Sequence, residues 1–162
     1  MTSITRTVVV AAFVTATSLT ATNAAPLFDD LTAGATLSVS GSFNGSGENV
    51  RDGFYGGKWI SESDTEVWAE YSWASPQRLG YVLVGGNDGR VPDGMKVQYS
   101  PLNDGTWIDA PTSVIAGGDN RLQYVPLDQN ARAVRVLMTR ASATYSDLTE
   151  FRVYGNSDLA QL

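Results

Sequence analysis

Short runs of alternating apolar and polar residues, separated by glycines and turn-forming dipeptides, constrain the fold of this chain most strongly. The clearest run covers residues 65–73, and its alternate positions differ in polarity. Val67, Ala69, Tyr71 and Trp73 form one set, and Trp68, Glu70 and Ser72 form the other. Such alternation directs one side of a strand into a core and the other toward solvent. No stretch keeps the three-and-four spacing of a helix for long enough, so the sequence predicts an all-β fold.

About eight short strands are expected along the chain. They cover residues 37–40, 65–73, 78–84, 95–99, the surroundings of Trp107, 122–127, 133–138 and 148–154. Gly85-Gly86 and Asn103-Asp104-Gly105 supply the turn residues after two of them. Strands this short at regular spacing predict an antiparallel β-sandwich.

The first residues differ in composition from the rest. Arg6 provides a positive charge, residues 8–19 are mostly apolar, and small or neutral residues precede position 25. This pattern is typical of a secretion signal, so we expect residues 1–24 to be removed and the protein to be extracellular. A weakly ordered tail is the alternative. We expect a lead-in at 25–36, the domain at 37–155 and a tail at 156–162.

Composition excludes several functions. The formal net charge is −6, and it becomes −7 without Arg6, so the chain repels nucleic acids and anionic lipids. The sequence has no cysteine and no histidine, which leaves oxygen ligands and favours calcium over zinc or copper. Catalytic triads and thiol chemistry are also unavailable, leaving paired carboxylates such as Asp64, Glu66 and Glu70. A turn and an exposed strand face explain these three better, so we expect no enzyme.

Several landmarks occur in a characteristic order. Asp52-Gly53 precedes Trp59, Val97-Gln98-Tyr99-Ser100 precedes Asp104-Gly105-Thr106-Trp107, and Ala133-Val134-Arg135-Val136 precedes the segment 150–155. Together they resemble the discoidin domain, also called the coagulation factor 5/8 type C domain, whose relatives include secreted carbohydrate-binding modules. The resemblance implies a jelly-roll, galactose-binding-like β-sandwich of about eight strands with a lectin-like, non-catalytic function.

The resemblance also implies one structural calcium ion. Carried over, its side-chain ligands are Asp52 and Glu150. Its backbone ligands are Asn49, Phe54, Gly57 and Thr149. Gly57 stands where many relatives have a threonine, so one hydroxyl ligand is absent. The alternative is that Asp52-Gly53 is only a turn and Glu150 only a solvated strand residue.

Ligands of this family generally meet loops at one end of the sandwich. The resemblance places Arg90 in such a loop, where Asn87 and Asp88 are its neighbours. A solvated arginine paired with an aspartate is the alternative. Tyr55 and Tyr145 lie among small residues and are the expected stacking platforms for a sugar.

Most of the four tryptophans are expected in the core, because each lies at or inside a strand. Galactose-binding relatives commonly use a histidine and a second arginine after the strand at 81–84, where this chain has Gly85-Gly86. The expected ligand is therefore a glycan of unassigned type.

A phospholipid or cell-surface adhesion module is the alternative function. It requires apolar residues on loops above basic ones, and Phe54-Tyr55 with Arg51 and Lys58 meets this only sparsely. The negative charge makes a membrane lipid less favoured than a glycan.

Overall fold

A computed structural model describes residues 28–53, 56–86, 93–112 and 122–156 of the chain, without the side chains of residues 141–143. Within these ranges the chain forms eight strands and two short 3₁₀ helices, Thr32–Gly34 and Gly47–Val50. The strands are β1 Phe28–Asp30, β2 Thr36–Val39, β3 Trp59–Ile60, β4 Asp64–Gly86, β5 Gly94–Ser100, β6 Ile108–Asp109, β7 Leu122–Thr144 and β8 Asp147–Asn156. No helix in these ranges is long and apolar enough to cross a membrane.

Two long antiparallel strands, β4 and β7, form the centre of the fold. They pair along nearly their whole length, but the register breaks between Ser72 and Gln77. Buried residues from both sides of this break belong to the same hydrophobic core. The β4–β7 ribbon is therefore folded over at the break and contributes to both layers of a sandwich.

Each half of the ribbon carries its own neighbours. Before the break in β4, the strand order is β2, β4, β7, β5 and β6. After the break, β8 pairs with β4, and β1 and β3 pair with β8. All of these pairings are antiparallel, as the sequence predicts.

The core lies between the layers and is fixed by large aromatic side chains. Tyr71 and Phe151 come from different layers, and their ring centroids are 4.6 Å apart. The Tyr71 hydroxyl donates to the Phe151 carbonyl at 2.9 Å, so this buried polar group is satisfied. Burial raises the pKa of Tyr71, which keeps the phenol protonated.

Two pairs of strands that the sequence predicts as separate are each one continuous strand in the structure. The runs at 65–73 and 78–84 are parts of β4, and those at 122–127 and 133–138 are parts of β7. The exposed, proline-containing segment 74–76 bends the strand without ending it, because both strands of the ribbon turn together. β1 and β3 were not expected, since strands of three and two residues are too short to show alternation.

Candidate functional site

The ends of several strands converge at one end of the sandwich, which we call the loop end. Asp64 at the start of β4 pairs with Thr144, and Gly86 at its end pairs with Leu148. Only Tyr145 and Ser146 separate the end of β7 in one layer from the start of β8 in the other. Both layers therefore terminate together here, and the loop predicted to contact a ligand joins Gly86 to Gly94 at this end.

Most of the predicted ligand-contacting residues fall outside the described residues. These are Asn87, Asp88, Arg90 and Tyr55, and the predicted metal ligand Phe54 joins them. Their roles remain predictions.

Tyr145 is the predicted ligand-contacting residue that the structure describes. Its ring lies 4.2 Å from that of Phe43, centroid to centroid, and Phe43 is 58% exposed. The Tyr145 carbonyl accepts a hydrogen bond from Arg140 Nη1 at 3.3 Å, which positions the backbone of this connection. The loop end thus presents a partly exposed aromatic pair.

The two segments of the predicted calcium site meet at one cavity of about 220 Å³. Gly53, Glu150 and Arg152 are among its lining residues. Gly53 has a φ of +73°, and a Cβ atom there would lie 2.8 Å from Arg152 Nη2. A side chain at position 53 is therefore opposed by both the backbone conformation and the guanidinium.

Glu150 is buried rather than solvated, which contradicts the alternative that it is a surface strand residue. Its Oε1 accepts from Arg152 Nε at 2.5 Å, and Arg152 Nη1 also donates to Asp30 at 3.2 Å. The hydrogen bond to Glu150 raises the pKa of Arg152. The buried carboxylate is thus neutralised by a cation from its own strand.

The remaining described metal candidates shape the surrounding loop. Asn49 Nδ2 donates to the Lys58 carbonyl at 2.9 Å and ties the two ends of the segment that contains Asp52 and Gly57. Thr149 is buried, and its hydroxyl donates to the Gly85 carbonyl at 3.0 Å. No group of three or more acidic side chains is arranged to hold a metal ion in the described parts of the chain.

These donors are compatible with calcium in their chemistry. They are all oxygens, they include a buried carboxylate, and a loop tied at both ends can present main-chain carbonyls. Arg152 would compete with the ion for Glu150.

The two basic residues of the adhesion hypothesis are already engaged. Arg51 contacts Glu48 through Nε at 2.5 Å and donates to the carbonyls of Thr32 and Ala35. Lys58 Nζ lies 3.2 Å from the buried carboxylate of Asp147. These partners reduce what either residue can offer to a phosphate headgroup.

The four tryptophans divide into two kinds. Trp59 and Trp73 are buried, and each indole N–H donates to a backbone carbonyl, at 3.0 and 3.2 Å. Trp68 and Trp107 are half-buried, and their indole N–H groups donate to no acceptor in the described residues. The expectation of core burial is therefore correct for the first pair and wrong for the second.

Polar side chains cross the outward side of the five-stranded layer in one line, which we call the polar row. Strand register places them opposite one another in order: Ser38, Glu70, Arg135, Gln98 and Asp109. Trp68 lies two residues from Glu70 on the same side of β4. We call the polar row with Trp68 and Trp107 the tryptophan face.

A chain of contacts fixes the centre of the tryptophan face. The Arg135 guanidinium lies 4.3 Å from the ring centroid of Trp107, and its Nε donates to Gln98 Oε1 at 2.8 Å. Asp109 then accepts from Gln98 Nε2 at 2.7 Å and from Lys96 Nζ at 2.9 Å. Alternation alone indicates that Trp68 and Glu70 point outward. That Glu70 lies opposite Arg135 depends on the register between β4 and β7, which the sequence does not reveal.

The three acidic residues considered for catalysis differ in their burial. Asp64 and Glu66 are exposed, and Asp64 Oδ1 accepts from the Thr65 backbone N–H. Glu70 is half-buried, and burial raises the pKa of its carboxyl, with Arg135 opposing the shift.

No protein-family model matches the chain, and no curated protein matches it. Solved structures do. The chain is 21% identical, with a TM-score of 0.66, to chitosan-binding module 1 from the chitosanase/glucanase of Paenibacillus sp. IK-5, covering 78% of this chain and 99% of that one. It is 16% identical, with a TM-score of 0.60, to the family 32 carbohydrate-binding module of AlyQ in complex with 4,5-unsaturated mannuronic acid, covering 73% and 92%.

A third similar structure is the family 32 carbohydrate-binding module of C. perfringens NanJ in complex with galactose. The identity is 14%, the TM-score is 0.61, and the match covers 75% of this chain and 94% of that one. The chain therefore has the antiparallel, galactose-binding-like β-sandwich fold of these modules, as the sequence resemblance predicts.

Proposed function

We propose that this protein is a secreted, non-catalytic, lectin-like domain that binds glycans through loops at one end of its sandwich. The convergence of both layers at the loop end supports the proposal, because Tyr145 packs on Phe43 there. Gly86 and Gly94, which flank the segment containing Arg90, also lie at this end of a rigid scaffold. The three similar structures support it, since each is a carbohydrate-binding module of nearly the same extent.

The chemistry expected at the loop end suits sugars. An aromatic ring stacks on the apolar face of a pyranose, and a guanidinium donates in fixed directions to neighbouring hydroxyls. Tyr145 provides the first group and Arg90 the second, with Asn87, Asp88 and Tyr55 as further contacts.

A glycan array probed with residues 25–162 tests this function. We expect at least one glycan to bind, and we expect Arg90→Ala and Tyr145→Ala to weaken that binding in proteins that remain folded. Arg90→Ala should leave the melting temperature unchanged, and Tyr145→Ala should lower it only slightly through the lost contact with Phe43. A blank array together with binding to phosphatidylserine vesicles would reject glycan recognition and favour the adhesion alternative.

A structural calcium ion forms part of the proposal. Asp52 and Glu150 would hold it with side-chain oxygens, and Asn49, Phe54, Gly57 and Thr149 with backbone oxygens. The ion would tie the loop at 49–58 to β8 and supply positive charge beside Glu150. Its role is stability, so glycan contacts do not pass through it.

Secretion of the protein is the last element of the proposed function. N-terminal sequencing of the protein recovered from the medium of an expressing host should begin near Ala25. Retention in the cell with Met1 intact would contradict it.

A further inference from the structure

The tryptophan face contains hydrogen-bonding groups that none of the described residues engages. Glu70 and Arg135 are directly opposite each other on β4 and β7. Even so, the Glu70 carboxylate makes no hydrogen bond or ion pair with any described residue, and the two Nη groups of Arg135 donate to none of them. Opposite charges in cross-strand partners ordinarily close into a pair when their role is stability.

Arg135 is held so that it cannot easily turn toward Glu70. Trp107 covers one side of the guanidinium, and Gln98 accepts from its Nε. Gln98 is in turn fixed by Asp109, which Lys96 also binds. The Nη edge is therefore pre-organised, which reduces the entropy lost when a ligand binds.

Trp68 adds an apolar surface beside these groups. It lies in the adjacent row, where it is opposite Leu137, itself only 8% exposed. Diagonal cross-strand neighbours such as Trp68 and Arg135 lie roughly 7–8 Å apart, and their Cβ atoms are somewhat closer. An aromatic surface and planar polar groups at this separation suit one pyranose ring, which has an apolar face and a rim of hydroxyls.

The charges favour a neutral sugar. Glu70 opposes Arg135, and Lys96 is paired with Asp109, so the centre of the face carries little net charge. A donor beside an acceptor matches vicinal hydroxyls, which both donate and accept. An anionic sugar would meet Glu66 and Glu70 on the same side of β4.

We propose that the tryptophan face is a second glycan-binding site, in which a neutral pyranose stacks on Trp68 and shares vicinal hydroxyls between Arg135 and Glu70. This inference rests on the proposed glycan-binding function, but it places recognition on the side of the five-stranded layer. The polar row spans five strands, so its length is about 19 Å at roughly 4.8 Å per strand, and an extended oligosaccharide can lie along it.

The four tryptophans provide an internal control for the test. In ¹⁵N-labelled protein, the indole N–H signals, assigned with single Trp→Phe variants, are followed during titration with cellohexaose, laminarihexaose and β-1,4-galactotetraose. We expect at least one of these neutral probes to shift the Trp68 and Trp107 signals and to leave those of Trp59 and Trp73 in place. Chitosan hexamer and hexamannuronate are the charged comparisons.

Two variants and one control complete the experiment. Arg135→Ala and Glu70→Gln should each weaken binding at least about tenfold, because each removes a hydrogen bond to a charged group. Glu70→Gln keeps the side-chain shape, so it separates lost recognition from lost folding. Tyr124→Ala removes an exposed aromatic ring from the other layer and should leave the affinity unchanged.

The contrary outcomes are distinct. Glycan binding that leaves the Trp68 and Trp107 signals unmoved would overturn this site while keeping the proposed function. Shifts of the Trp68 and Trp107 signals that only a charged probe produces would overturn the proposal that the ligand is a neutral sugar. Failure of every glycan on both the array and the titration would remove the proposed function, and this site with it.

Discussion

Aromatic side chains lie on the outward sides of both layers, but their rings are used differently. On the layer that contains β8, four of them form what we call the tyrosine row: Phe28, Tyr81, Tyr124 and Tyr154. The Tyr81 centroid lies 4.8 Å from that of Tyr154, 4.9 Å from that of Tyr124 and 5.1 Å from that of Phe28. These rings cover one another and join four strands, which is a stabilising arrangement.

On the tryptophan face, by contrast, Trp68 contacts no other aromatic ring in the described residues, and Trp107 lies against a guanidinium. Tyr124 is 61% exposed, whereas Trp68 is half-buried. Exposure alone would therefore select the tyrosine row, and not the tryptophan face, as the binding surface. The distinguishing feature is a ring without an aromatic neighbour, beside a carboxylate and guanidinium Nη groups that make no hydrogen bond to any described residue. We therefore expect the tyrosine row to stabilise the fold and the tryptophan face to bind a glycan.

The largest effect is expected in the centre of the tyrosine row. Tyr81→Ala removes three ring contacts and should lower the free energy of unfolding by about 3 kcal/mol, or roughly 10 °C in melting temperature. Thermal unfolding measures this, and affinity for the strongest array glycan should not change. Lost affinity in a folded Tyr81→Ala protein would contradict the division between the two faces.

Calcium removal should act on the same side of the molecule, because the cavity at Glu150 also borders Tyr154. A bound ion present at about 100 times its dissociation constant contributes about 2.7 kcal/mol. A chelator should therefore lower the melting temperature by several degrees, and Asp52→Ala should abolish that response. Identical melting curves with and without chelator would reject the calcium site.

A matched pair of tryptophan substitutions should separate the core from the binding face. Trp73→Phe removes a partly buried hydrogen bond to the Leu31 carbonyl and should lower the free energy of unfolding by about 1–2 kcal/mol. Trp68→Phe should change it by less than about 0.5 kcal/mol. Urea unfolding decides this comparison, and equal losses for both variants would count against it.

The smallest effect concerns the pH dependence of stability at Glu70. Burial raises its folded pKa above the unfolded value of about 4.5, with Arg135 on β7 opposing the shift and uncharged Ser38 opposite it on β2. The ionised carboxylate therefore destabilises the fold near neutral pH. Wild type should gain stability relative to Glu70→Gln as the pH falls through the folded pKa toward the unfolded value.

Unfolding in urea at several pH values checks this difference. A wild-type protein that loses stability relative to Glu70→Gln over that range would show that Glu70 is engaged in a stabilising ion pair.

The sequence predicts the fold well because alternation is a local signal. Val67 and Tyr71 are buried as their positions in the run require, and Asn103 and Gly105 adopt the positive φ values of the expected turn. It predicts the site less well, because the pairing of Glu70 with Arg135 and the stacking of Arg135 on Trp107 depend on register and tertiary packing. The sequence also does not predict that β4 continues through residues 74–76, because a bend made by two paired strands has the same local composition as a loop.

The most direct measurement is the affinity of Trp107→Ala and Tyr124→Ala for the neutral oligosaccharide that shifts the Trp68 indole signal, by isothermal titration calorimetry. Trp107 supports Arg135, whereas the Tyr124 ring packs against Tyr81 in the tyrosine row. We predict at least a tenfold loss, roughly 1.4 kcal/mol, for Trp107→Ala and no change for Tyr124→Ala. Unchanged affinity in Trp107→Ala together with a loss in Tyr124→Ala would contradict the account.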